Sequence, residues 1–159
     1  MEKTVKFIRF QQLKQQALAN CQEEGRPLPD PDRMNPIVLA LIGDSVFTFY
    51  VRMRLLPVSC HVQVIHTMAA KMVSAVMQSK AMHALETGLS EKEAAVVHRG
   101  RNAKSLVPKS ASVSEYRAAT ALEALCGWLL LTDQEGRLEE FLEQAFQVIS
   151  REMQKQAEM

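Results

Sequence analysis

Acidic residues are missing from two long stretches of this chain, Ser45 to Leu85 and Ala94 to Ser114. Cysteine is scarce: Cys21, Cys60 and Cys126 are an odd number at wide spacings with no C-x-x-C pair, which argues against a disulfide framework or a zinc knuckle. Aromatic residues are 6% of the chain and form no RNP-like motif, so base stacking on single-stranded nucleic acid is a poor fit. No stretch alternates apolar and polar residues between turn signals, so no strand is expected. The N-terminus lacks the charged, apolar and small-residue order of a signal peptide, and no uncharged run reaches the roughly 18 apolar residues of a membrane span. A cytoplasmic protein with no membrane partner and no nucleotide cofactor is the expectation. Internal repeats and low-complexity tracts are also lacking.

With 159 residues, the chain can bury one core without staples. Its formal charge is +1, but the charges are unevenly placed. Arg52, Arg54, Lys71 and Lys80 fall in the first acid-free stretch, and Arg99, Arg101, Lys104 and Lys109 in the second. After Asp133 acids outnumber bases. A polarised surface of this kind can bind a polyanion although the total is nearly neutral.

Helical punctuation is legible from end to end. Phe7, Phe10, Leu13, Ala17 and Cys21 recur at steps of three or four, predicting a helix over residues 4–24 that stops at Gly25. Prolines at 27, 29, 31 and 36 mark a linker. Residues 1–33 therefore read as a helical extension with a Pro-rich linker, and 34–159 as the main all-α domain. Asn35 before Pro36 predicts an N-cap for a helix reaching about Leu56. A methionine-rich helical segment is expected from His61 to Thr87, its Met68, Met72 and Met77 filling core or interface. Ser90 with Glu93, Ser112 with Glu115 and Thr132 with Glu135 each have the capping-box spacing.

Two acids interrupt otherwise apolar helices. On a helical wheel Asp44 sits among Ile37, Ala40, Leu41, Phe47, Thr48 and Val51, away from a solvated stripe. Glu123 shares a face with Tyr116, Ala119, Thr120, Cys126, Gly127 and Leu130. Burial of an unpartnered carboxylate is costly. Each acid could be satisfied separately, Asp44 by Arg52, Arg117 or backbone amides. Alternatively the two helices cross, Gly43 and Gly127 permitting close approach, and the carboxylates share a divalent cation. Magnesium, which prefers oxygen ligands, would suit that site.

The segments "NPIVLALIGDSVFTFYVRMRLL" and "HRGRNAKSLVPKSASVSEYRAATALEALCGWLLL", in this order, resemble the Mini-ribonuclease III family over roughly residues 34 to 148. This is the short branch of the ribonuclease III superfamily, without a double-stranded-RNA-binding domain. The resemblance implies a ribonuclease III-like helical endonuclease domain that is a cytoplasmic homodimer. It also implies magnesium-dependent hydrolysis of double-stranded RNA, with manganese as a substitute, in maturation of the large-subunit (23S) ribosomal RNA precursor. Asp44 falls on the family's catalytic aspartate and Glu123 on its catalytic glutamate, both as metal ligands. Two further carboxylates of the longer enzymes correspond to Ala40 and Thr120, so fewer direct ligands are implied. Products would carry 5′-phosphates and 3′-hydroxyls with short 3′ overhangs.

RNA contacts are expected from Arg99, Arg101, Asn102, Lys104 and Lys109, since double-stranded RNA is read mostly through phosphates and 2′-hydroxyls. Gly100 and Pro108 suggest that part of this segment leaves regular helix. Lys71 and Lys80 are as easily a solvated face as an extension of the path, and His66 and His98 are assigned no chemistry. The acidic last helix is expected to present a solvated outer face. The alternative function is a non-catalytic dimer that binds ribosomal RNA. A helical adaptor with a Met-rich protein-binding face is a third.

Overall fold

The structure, a computed structural model, describes residues 11–19 and 27–159. It divides into two units, Met1–Met34 and Asn35–Met159. In the first, residues 11–19 form helix α1, and a Pro-rich stretch from residue 27 ends in a turn over 31–34. The remainder of the expected 4–24 helix, with Phe7, Phe10, Cys21 and its stop at Gly25, lies outside the described residues.

The second unit contains α2 (Pro36–Leu55), α3 (Val62–Met72), α4 (Ala75–Leu85), α5 (Glu91–Arg101), α6 (Val113–Leu131) and α7 (Glu135–Ala157). A single 3-10 turn, Glu86–Gly88, separates α4 from α5. The described residues contain no strand.

Helix α6 is the axis on which the others pack, touching α2, α4, α5 and α7. From Ala118 to Leu130 every residue is buried except Glu123. A helix apolar on all sides is stable only when surrounded in this way. Its start is fixed by a complete capping box, Ser112 Oγ accepting from the Glu115 amide at 3.1 Å while the Glu115 carboxylate accepts from the Ser112 amide. Ser90 and Glu93 cap α5 in the same way. Asn35 caps α2, its Oδ1 accepting from the Ile37 amide at 2.9 Å, with Pro36 in the first turn.

Two expectations about boundaries are corrected. The segment from His61 to Thr87 is broken at Val73–Ser74, where Ser74 caps a new helix by accepting from the Met77 amide. Thr132 does not cap α7. Its hydroxyl instead donates back to the Trp128 carbonyl at 2.7 Å, Asp133 takes a left-handed φ of 57°, and α7 begins after Gln134 without a side-chain cap. The extra turning residue moves Glu135 out of capping register.

By length and composition α2 could cross a membrane, with a mean hydropathy of 1.4, although it carries Asp44, Arg52 and Arg54. In this fold Leu39, Val46, Phe47, Val51 and Leu55 are buried in the core. Helix α7 turns Leu138, Phe141, Leu142, Ala145 and Ile149 inward. Several of its acids bind neighbouring residues: Glu143 meets Tyr50 and Arg54, Glu152 meets Lys80, and Glu140 meets Arg137. The outer face is thus less simply solvated than the sequence suggests. Arg137 also grips the buried Glu93 with two bonds, at 2.7 and 3.1 Å, joining α7 to the start of α5.

Candidate active site

The crossing of α2 and α6 brings backbone against backbone. A Cβ on Gly43 would lie 1.7 Å from the Glu123 carbonyl oxygen, and one on Gly127 would lie 2.0 Å from the Leu39 carbonyl oxygen. Only hydrogen fits at either position. The two glycines therefore set the helix separation, and the residue after one of them, Asp44, is carried up to the face that holds Glu123.

Asp44 and Glu123 do converge, close enough that the charge on Asp44 helps to raise the pKa of Glu123. Burial is the larger cause, and together they lift the glutamate from 4.5 to about 7, partly opposed by a hydrogen bond from Gln78. Separate satisfaction of the two acids by arginines is not what forms. Asp44 instead receives a hydrogen bond from Thr48 Oγ1, four residues on in the same helix, at 3.5 Å.

The expectation that both acids sit in apolar burial holds for one of them only. Glu123 is mostly enclosed, whereas Asp44 is exposed. The wheel misleads because an apolar neighbour need not be a core neighbour: Leu41, one turn before Ser45, is itself 67% exposed.

Gln78 does not stand out in the sequence, although it belongs to the site. It is 1% exposed in α4 and donates to Glu123 Oε1 at 3.1 Å. The signal that could have found it is the one that marks the acids, a polar side chain among Met77, Ala81 and Met82. Ala40 and Thr120 bring no carboxylate; Thr120 Oγ1 donates to the Tyr116 carbonyl at 3.0 Å. Among the described residues no group of three or more His, Cys, Asp and Glu side chains gathers to hold a metal. Burial, with the Glu123 charge beside it, pushes the Cys126 thiol far up, so it supplies no thiolate nucleophile.

The basic segment starts next to this face. Gly100 packs α5 onto α6, where an added Cβ would lie 3.0 Å from the Ala121 Cα and 3.4 Å from the Thr120 carbonyl oxygen. Helix α5 then ends at Arg101, and residues 103–112 are irregular. Ser105 Oγ donates to the Tyr116 hydroxyl at 3.2 Å, tying this loop along α6 roughly 10 Å from Glu123 at 1.5 Å per residue.

Lys104 and Lys109 are exposed on the loop, Asn102 caps α5 with its amide against the His98 ring, and Arg99 is half-buried. Arg101 is placed differently, in an ion pair with Glu86 of the 3-10 turn. Lys80 is likewise engaged, by Glu152 at 3.3 Å, while Lys71 is exposed.

Residues 37–134 match the family described as the Ribonuclease III domain. The Mini-ribonuclease 3 of Brevibacillus brevis is 41% identical over 125 residues, covering 77% of this chain and 93% of that protein. That of Symbiobacterium thermophilum is 42% identical over 126 residues, covering 78% and 97%. Among solved structures, a crystal structure of a Fusobacterium nucleatum protein matches with a TM-score of 0.65 and 26% identity, over 70% of this chain and 90% of that one. With the domain match spanning both acids and the glycines that bring them together, the chain belongs to the Mini-ribonuclease 3 family and is a ribonuclease III-like endonuclease.

Proposed function

We propose that this protein is a magnesium-dependent endoribonuclease that hydrolyses phosphodiester bonds in double-stranded RNA as a cytoplasmic homodimer, with the 23S ribosomal RNA precursor as its substrate. The observation that carries the reading is the convergence of Asp44 and Glu123 where Gly43 and Gly127 let two helices touch. A pair of repelling carboxylates, one largely buried, is a poor structural element and a good cation site.

The donor set fits a hard divalent ion. It is made of oxygen only, and magnesium is characteristically held by one or two carboxylates, its remaining positions taken by water and phosphate. Manganese accepts the same donors. Asp44 and Glu123 would hold the ion. When bound, it supplies charge neutralisation at the phosphate and a more acidic water as nucleophile.

The chain's own residues then have three tasks. Asp44, exposed, meets the RNA side of the site, and Glu123 anchors it from within. Arg99, Asn102, Lys104 and Lys109 bind phosphates and 2′-hydroxyls along the groove. Arg101 is assigned to the fold, securing the end of α5 through Glu86, so that the loop departs in a fixed direction.

Association of two copies is supported by an exposed apolar stripe on α2. Val38, Leu41 and, at the C-cap, Leu56 lie near one line of the helix, and all remain at least 40% exposed in a single copy. A two-fold pair would offer one site to each strand of a duplex.

The test is incubation of a long RNA duplex with the protein and magnesium, beside a single strand of the same sequence. Shortening of the duplex alone, ending in 5′-phosphates, is the expected result. A protein that retains the duplex but never shortens it, with either magnesium or manganese, is a binding module and not a nuclease.

A further inference from the structure

Gln78 makes two bonds with one amide group. Its Nε2 donates to the Val73 carbonyl at 2.9 Å and to Glu123 Oε1 at 3.1 Å. Both partners are acceptors, so the amide orientation is determined: reversed, its oxygen would face two oxygens. The other amide atom, Oε1, is buried and has no hydrogen-bond partner. An unsatisfied buried carbonyl is unfavourable, and an apolar side chain of similar size would avoid it. The position keeps an amide nonetheless.

Val73 ends α3, and Ser74 caps α4, so the amide spans the break between those helices and reaches across to α6. The break is what lets α4 present Gln78 toward Glu123. A glutamate side chain has three rotatable bonds, and ordering it costs conformational entropy. With one carboxylate oxygen held, Glu123 keeps a single orientation and its other oxygen is left for a ligand. Few other groups can do this work. Ala40 and Thr120, one turn before each acid, add no carboxylate, and the Thr120 hydroxyl is directed to the Tyr116 carbonyl.

We infer that Gln78 is a positioning residue, which fixes the Glu123 carboxylate for a divalent cation shared with Asp44. The inference rests on the reading of Asp44 and Glu123 as the cation ligands, and it assigns Gln78 no contact with RNA.

The test is binding of Mn2+ alone to the full-length protein, followed by the loss of the free-ion electron paramagnetic resonance signal. Gln78→Leu should weaken Mn2+ binding by about 10- to 100-fold, the usual range for loss of a hydrogen bond behind a metal ligand. The magnesium concentration for half-maximal cleavage should rise in parallel, with KM for RNA unchanged at saturating magnesium. Met77→Leu alters packing in the same helical turn and should leave Mn2+ binding as it is. If Gln78→Leu does not fold, Gln78→Asn answers the same question, because its amide is one carbon too short to reach both partners.

Wild-type Mn2+ affinity in a folded Gln78 variant, with binding lost in Asp44→Asn and Glu123→Gln, overturns the inference and leaves the active-site reading standing. Unchanged affinity in all of these variants overturns both.

Discussion

The Gly43 Cα faces the Glu123 main chain so closely that a methyl group there would overlap the Glu123 carbonyl oxygen at 1.7 Å. The glycine before Asp44 and the glutamate on α6 are thus one structural unit. Remove the gap and the two carboxylates can no longer meet.

Gly43→Ala should therefore cost upwards of about 3 kcal/mol, because the clash is with backbone and cannot be relieved by a side-chain rotation. Gly88→Ala is the matched control, since a Cβ there meets nothing within 4 Å, and should change stability by less than about 0.5 kcal/mol. Urea denaturation of both variants checks the difference.

Gly136→Ala should stabilise the protein by about 0.5 to 1 kcal/mol. The position is exposed in the first turn of α7, with open space around the added methyl, so the gain is in helix propensity and unfolded-state entropy. A higher urea midpoint with an unchanged slope is the expected observation.

Glu123 makes the metal-free protein pH-sensitive. Its folded-state pKa of about 7 lies above the ordinary 4.5, so the folded state holds the proton more tightly than the unfolded chain. The resulting stabilisation is complete below pH 4.5 and is lost as pH rises through about 7, amounting to about 3 kcal/mol. Stability of the wild type minus that of Glu123→Gln should fall by this amount across the interval in chelator. Saturating magnesium should offset the loss above pH 7, since it binds the folded, ionised form.

RNA binding should distinguish two kinds of cation. Lys104→Ala and Lys109→Ala should each weaken duplex binding and reduce the salt slope by about 1, as expected for a lost phosphate contact. Arg101→Ala should lower stability, since it removes the partner of Glu86, and should change the salt slope less than either lysine. Filter binding of a catalytically inactive variant between 50 and roughly 200 mM salt reads both quantities; a slope that ignores Lys104 and Lys109 contradicts the proposed RNA path.

The helix starts at Asn35, Ser90 and Ser112 were legible because a cap is a local arrangement of three or four consecutive residues. The Gly43 and Gly127 contact was also legible, since a small residue beside a misplaced acid on each of two apolar helices points to a close crossing. What depends on partners distant in sequence was not. Thr132 has the right spacing to Glu135, but Asp133 turns the chain and the register is lost. Arg101 looks like its neighbours in the basic segment until the fold delivers Glu86 to it. Asp44 reads as buried because its wheel neighbours are apolar, whereas some of those neighbours face outward. Gln78 was hidden among methionines, and only the packing of α4 on α6 gives its amide a purpose.

The most direct measurement is cleavage of a long RNA duplex, with magnesium and with chelator, by the wild type, Asp44→Asn and Glu123→Gln at matched folding. Cutting by the wild type alone, and only with the metal, is the result this account predicts. Magnesium-dependent cutting at undiminished rate by either variant would contradict it, because the convergence of these two acids would then not be where the chemistry occurs.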